Sequence, residues 1–155
     1  MAPVFVEFDF GSDAYQQACQ LRHEVLRVPL GLSLYDEDLS AESAQRHFGL
    51  WDGTVLLACV TIAPLSPTSA KLRQMAVRPG CQGQGHGRKL LRFVETQLSQ
   101  AGVIQISLHA RRTAVGFYEK LGYHTLGAEF TEVSLPHLRM EKTLNPADWR
   151  NSKLS

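Results

Sequence analysis

Apolar and polar positions alternate from Val4 to Phe10, with Val4, Val6, Phe8 and Phe10 set against Phe5, Glu7 and Asp9, and this period of two predicts a strand. A helical period follows. Ser12 or Asp13 can cap a helix whose apolar stripe is Ala18, Leu21, Val25 and Leu26, and Pro29 and Gly31 end it. Residues 32–45 are acidic and read as loop plus a short helix. Strands are predicted over 47–51 and 54–63, joined at Asp52-Gly53, a dipeptide suited to a hairpin. Ser66-Pro67-Thr68 makes a second turn into a strand over 70–77.

The second half opens with a helix over 88–100. Leu90, Leu91, Val94 and Leu98 share its inner face, and Gly102 stops it as a C′ residue. A near-continuous apolar strand over 103–109 comes next, then a short helix over 113–121 ended by Gly122. Strands over 123–127 and 136–144 complete the pattern. The order is an antiparallel meander feeding a β-α-β unit. It predicts an α/β (α+β) fold with a mixed, mostly antiparallel central sheet and helices on both faces. A doubly wound fold, which alternates strand and helix from the start, does not fit. Residues 1–145 are expected to form a single domain, with 146–155 as a polar C-terminal tail.

Composition narrows the function. The chain has 155 residues, 44% hydrophobic and 20% charged, enough for one domain with a proper core. A net charge of +1 argues against a nucleic-acid binder. Charge is concentrated locally. Lys71, Arg73, Arg78, Arg88, Lys89 and Arg92 fall between residues 71 and 94 with no acid among them, whereas Asp36, Glu37, Asp38 and Glu42 cluster upstream. A local basic patch in a neutral chain points to a small anionic ligand. Cys19, Cys59 and Cys81 are widely spaced, with no C-x-x-C pair, and support neither a metal site nor a disulfide framework. The N-terminal segment lacks the basic start of a signal peptide, and no apolar run approaches a membrane span, so a cytoplasmic protein without membrane contact is expected.

The chemistry concentrates at Gly80-Cys-Gln-Gly-Gln-Gly-His-Gly-Arg88, where glycines run into a helix start. Glycine permits backbone angles closed to other residues. Successive N–H groups can then converge on one point, where the helix dipole also favours an anion. Arg78, Arg88 and Lys89 add charge, so the stretch reads as a phosphate cradle. It is not a P-loop, because no Ser/Thr follows Lys89. Nor is it a dinucleotide fingerprint, because the glycines are spaced Gly83-x-Gly85-x-Gly87 and follow a meander.

Gln82-Gly83-Gln84-Gly85-His86-Gly87 resembles the Q-x-x-G-x-G loop of the GNAT superfamily of N-acyltransferases, which holds the pyrophosphate of acetyl-CoA. The context matches. The loop follows the strand Leu72-Arg-Gln-Met-Ala-Val77 and opens a helix. Downstream, Ala114-Val-Gly-Phe-Tyr-Glu-Lys-Leu-Gly-Tyr123 is similar to the family's second motif. Leu21-Arg22 through Gly31 and Leu135-Pro136-His137-x-x-Met140 resemble one bacterial branch of the family.

The resemblance implies N-acetyl transfer from acetyl-CoA to a primary amine of a small molecule or peptide, by direct attack in a ternary complex and without a metal. It implies that the N–H groups of Met75, Ala76 and Val77 polarise the thioester and pair with the pantetheine arm. It assigns the pyrophosphate to Gln82, Gly83, Gln84, Gly85, His86, Gly87 and Arg88, cofactor packing to Phe117, and protonation of the leaving thiolate to Tyr118. The base stays open among Glu37, Asp38, His109, His137 and a water chain. Many relatives carry Asn after the fifth strand where Arg111 and Arg112 stand here, which favours an anionic group on the substrate. The resemblance leaves a monomer and a homodimer both open. The alternative is a catalytically silent acyl-CoA-binding sensor or interaction module.

Overall fold

The computed structural model describes residues 3–144; the tail expected over 146–155 lies outside the described residues. Seven strands form one sheet in the order β1-β2-β3-β4-β5-β7-β6. β4 and β5 run parallel, whereas β1–β2, β2–β3, β5–β7 and β6–β7 are antiparallel. This is the mixed, mostly antiparallel sheet that the element order predicts.

The chain divides into two compact units. Among the described residues, the first takes 3–63 and 73–94. β1 (Val4–Phe8) pairs with β2 (Arg46–Asp52), which turns at Gly53 (φ +59°) into β3 (Val55–Ser66). Leu56 to Ile62 of β3 are buried on both faces. α1 (Asp13–Arg22) is capped by Ser12, whose hydroxyl accepts from the Tyr15 N–H. Ala18 and Leu21 pack with Leu56, Cys59 and Ala76. The helix does not run on as an α-helix to Pro29. A π turn over His23–Arg27 and a 3-10 turn over Val28–Leu30 replace its last part. Pro29 has no N–H to donate, so the α ladder cannot run through it, although Val28 just before it keeps α geometry (φ −52°, ψ −44°). Residues 34–36 and 40–44 form short 3-10 turns.

α2 (His86–Gln100) buries Leu90, Leu91, Val94 and Leu98, the predicted stripe. Within the first unit, Phe93 stacks on Phe5 with centroids 4.7 Å apart and meets the edge of Phe48. β4 (Ser69–Val77) contains one residue that the period-two pattern does not foresee. Gln74 has φ +57°, a left-handed conformation within a strand.

Among the described residues, the second unit takes 64–72 and 95–144. Gly102 (φ +93°) closes α2 as expected, with Val103 N–H donating to Leu98 O and Gly102 N–H to Ser99 O. This cap occupies Val103, so β5 begins later than predicted, as Gln105–Arg111. Ile106, Leu108 and Ala110 alternate into the core. α3 (Val115–Glu119) is followed by β6 (His124–Glu132) and β7 (Leu135–Thr143).

β6 reaches five residues past its predicted end at Gly127. That glycine (φ +74°) sits in a register shift between Leu126 and Phe130, so it marks a bulge rather than a stop. The turn into β7 is made by Val133 (φ +51°) and Ser134 (φ +63°), both left-handed. Such a turn favours Asn-Gly, and a β-branched residue there is strained. The double change Val133→Asn/Ser134→Gly should raise stability by about 1 kcal/mol. A denaturation midpoint that does not rise would remove strain from this turn.

Candidate active site

In the first unit, Arg78-Pro79-Gly80-Cys81 forms a tight turn. Cys81 N–H donates to Arg78 O at 3.0 Å, and Gly80 has φ +84°. The Arg78 backbone N–H and Nε donate to the carbonyls of Leu57 and Leu56, anchoring the turn on β3. Gly83 (φ +80°) and Gly85 (φ +83°) are left-handed, and a Cβ on either would point into open space. Gly85 O accepts the Lys89 N–H, so the N–H groups of His86, Gly87 and Arg88 lie ahead of the α2 ladder.

Gln82 Nε2 and Gln84 Nε2 donate to Val77 O and Gly80 O and brace the loop from within. Gln84 Oε1 lies 3.1 Å from His86 Nε2, and the buried Nδ1 of His86 has no partner among the described residues. Arg88 and Lys89 are exposed at the helix start. Left-handed glycines, free first-turn N–H groups and exposed cations fit a pyrophosphate.

Met75, Ala76 and Val77 follow Gln74, whose side-chain Oε1 is buried without a hydrogen-bond partner. A left-handed non-glycine residue beside an unsatisfied amide is local strain of the kind found at ligand sites.

The acidic segment is held in place by its own contacts. Arg27 grips both oxygens of Glu37, at 2.6 and 3.2 Å. Asp38 accepts from the Ser40 N–H, and that bond, followed by one from the Ser40 side chain, draws its carboxyl below the ordinary range.

A buried network here escaped the sequence reading. Arg22 bonds both oxygens of Glu42 at 2.8 and 2.7 Å, and Tyr15 and Arg73 add to the same carboxylate. The Arg22 and Glu42 side chains are each 2% exposed. Burial alone would raise Glu42, but hydrogen bonds from Arg22 and Tyr15 and the charges of Arg22 and Arg73 outweigh it and bring the carboxyl to about 2. His47 bonds Glu42 O and Thr61 Oγ1 beside it. An arginine next to the apolar stripe of α1 was the one available signal, and it names no partner.

In the second unit, Tyr118 is buried, edge-on to Phe117 and Tyr123, while Phe117 is 38% exposed. The Tyr118 hydroxyl has no hydrogen-bond partner among the described residues, and burial pushes it well above the usual phenol range. His109 on β5 and His137 on β7 lie on opposite sides of Glu132, a residue the sequence did not single out. Arg112 pairs with Glu129. Among the described residues no group of three or more His, Cys, Asp or Glu is arranged to hold a metal, and no helix is long and apolar enough to cross a membrane.

The profile of the acetyltransferase (GNAT) domain matches residues 30–144. The uncharacterised N-acetyltransferase YitI of Bacillus subtilis (strain 168) is 33% identical over 138 residues, covering 81% of this chain and 89% of that protein. The chain belongs to the GNAT acetyltransferase family.

Solved structures share its fold. A candidate N-acetyltransferase from Lactobacillus plantarum superposes with a TM-score of 0.83 at 24% identity, covering 94% of this chain and 100% of that one. A GNAT family acetyltransferase from Elizabethkingia anophelis with acetyl-CoA bound gives 0.71 at 14%, covering 92% and 98%.

Proposed function

We propose that the chain is an N-acetyltransferase that moves the acetyl group of acetyl-CoA to a primary amine of a small molecule or peptide. The amine attacks the thioester directly in a ternary complex. The observation that carries this reading is the loop Gln82–Arg88, with left-handed glycines running into the first-turn N–H groups of α2. Gln82, Gly83, Gln84, Gly85, His86, Gly87 and Arg88 would hold the pyrophosphate. The backbone of Met75, Ala76 and Val77 would take the pantetheine arm and the thioester carbonyl, and Phe117 would pack on the cofactor. The same reading has residues 1–145 act as one acyltransferase domain, cytoplasmic, as a monomer or homodimer, with no nucleic-acid partner.

Two proton transfers are needed. Tyr118 is assigned to the leaving thiolate. Its raised phenol keeps the proton at neutral pH, and giving it to a thiolate whose thiol has an ordinary pKa is uphill by at least about 2 kcal/mol. Tyr118 therefore assists rather than drives departure of the sulfur. The amine proton goes to a base. Arg27 already occupies Glu37 and the Ser40 N–H engages Asp38, which favours the histidines His109 and His137.

The test has two stages. Millimolar acetyl-CoA should raise the thermal unfolding midpoint; no rise removes the cofactor assignment. Small amines, a polyamine and a lysine-bearing peptide are then screened for release of free CoA. With an active acceptor, Tyr118→Phe should lower kcat about 10- to 100-fold while leaving the acetyl-CoA midpoint shift intact. An unchanged kcat would dismiss Tyr118 as the acid. Stabilisation without turnover of any amine would favour the silent binding module.

A further inference from the structure

Three strands of the second unit bring a carboxylate between two imidazoles. Glu132 ends β6, beside the strained Val133–Ser134 turn, and pairs across it with Leu135. Its Oε1 lies 3.0 Å from His109 Nδ1 on β5, and its Oε2 lies 3.7 Å from His137 Nε2 on β7. Phe130 meets the His109 ring edge-on at 5.0 Å and stacks on His137 at 6.0 Å, which restrains both rings.

Two contacts compete for His109 Nδ1. Glu132 only accepts and lies 3.0 Å away, which calls for a proton on Nδ1, whereas Lys71 Nζ only donates and lies 3.5 Å away, at the limit of a hydrogen bond; the shorter contact favours the Nδ1–H form, with Nε2 carrying the lone pair. His109 Nε2 has no partner among the described residues, and the ring is 30% exposed. His137 is buried and differently posed. Its Nδ1 lies 2.9 Å from Leu135 O and must donate, so its bare Nε2 faces the carboxylate until a proton is gained. A protonated His137 would have an acceptor for each N–H. Burial acts to raise the Glu132 carboxyl, but the His109 hydrogen bond and the charges of His109, His137 and Lys71 outweigh it and hold it below the ordinary range. Other charges face the cluster. Lys71 Nζ on β4 is 3.5 Å from His109 Nδ1, Arg139 and Arg111 are the Cα partners of His109 and His137, and Glu141 pairs with Arg139.

We propose that Glu132 is a positioning residue for acyl transfer, holding His109 in its Nδ1–H tautomer so that Nε2 accepts the amine proton, and coupling it to His137. The inference rests on the N-acetyltransferase reading. In the step, the amine nitrogen bonds to the acetyl carbon, the C–S bond breaks, and its electron pair leaves on the CoA sulfur. One amine proton passes to His109 Nε2. The imidazolium is then balanced by Glu132, and the thiolate is protonated by Tyr118 or water. This is the carboxylate–histidine logic of orientation and charge balance.

The experiment is a two-bond 1H–15N correlation series against pH on the full chain with 15N-labelled histidine, for wild type, Glu132→Ala and Glu132→Gln. Wild-type His109 should be the Nδ1–H tautomer when neutral. Glu132→Ala should lose that preference, and Glu132→Gln, whose amide oxygen still accepts, should retain part of it. With spermidine or a lysine peptide as probe amine, Glu132→Ala should lower kcat about 10-fold, and Glu132→Gln, which keeps an acceptor for Nδ1–H, should lower it less. KM for acetyl-CoA should not change.

A wild-type His109 in the Nε2–H form, or an Nδ1–H form that survives Glu132→Ala, overturns the positioning role while acetyl-CoA stabilisation stays intact. A wild type that acetyl-CoA does not stabilise overturns the acyltransferase reading and the catalytic role with it. The spectra would then still decide whether Glu132 couples the two rings.

Discussion

Glu42→Ala is expected to lower the unfolding free energy by about 3–5 kcal/mol, the usual cost of stranding one member of a buried ion pair. Arg22 is the reason. Its guanidinium is almost wholly buried, two of its nitrogens are spent on Glu42, and its Nε already lacks a partner. Without the carboxylate, the charge, the Tyr15 hydroxyl and part of the Arg73 contact are left unanswered. Urea denaturation at neutral pH measures the loss as a lower midpoint at unchanged slope. A loss under about 1 kcal/mol would mean that water reaches the network.

The same carboxylate sets an acid signature. Its folded value of about 2 lies below an ordinary value of 4.5, so its contribution is present above about pH 4.5 and lost as pH falls toward 2. That contribution is on the order of 3 kcal/mol, and Glu42→Ala should flatten the decline of stability over that window. Replacing the pair together, as Arg22→Met/Glu42→Leu, should recover much of the loss, because the isolated charge rather than the missing bond is what costs most.

Gly85→Glu is expected to abolish acetyl-CoA-induced stabilisation. Two effects act at once. A side chain at φ +83° costs about 1–2 kcal/mol in any residue with a Cβ. The new carboxylate also enters the space proposed for the pyrophosphate, ahead of the α2 N–H groups. Nothing crowds a Cβ there, so the fold should survive. Wild type in acetyl-CoA at a hundred times its dissociation constant should gain about 2.7 kcal/mol, and the variant none. Gly85→Ala separates the effects, since it bears the conformational cost without the charge and should keep part of the ligand response. If Gly85→Glu still responded fully, the pyrophosphate would not sit on this loop.

What the sequence made legible was local. Asp52-Gly53 announced its hairpin because two residues suffice to make one, and Gly102 announced the end of α2 because its cap lies within five residues. The stripe Leu90–Leu98 and the glycine loop were readable for the same reason. What stayed hidden depends on partners far along the chain. Glu42 lies 20 residues from Arg22 and 31 from Arg73, and nothing in an acidic segment says which carboxylate turns inward. Glu132 finds His109 across 23 residues. Gln74, Val133 and Ser134 adopt left-handed angles that their residue types disfavour, so propensity pointed the other way and tertiary pairing prevailed. Gly127 misled by being read as punctuation when it bends a strand that continues.

That bend bears on how the protein behaves in concentrated solution. β6 is a border of the sheet, where unpaired backbone can recruit a strand from another molecule. The bulge at Gly127 breaks the regular spacing that an incoming strand would need to copy. Among the described residues the opposite border carries no bulge. β1 is regular over its five residues and shows Val4 at 58% and Val6 at 38% exposure, with Glu7 as its one acid. Unwanted chain-to-chain stacking is therefore a one-sided hazard, and a lysine at Val4 is where a more soluble version of this molecule would begin.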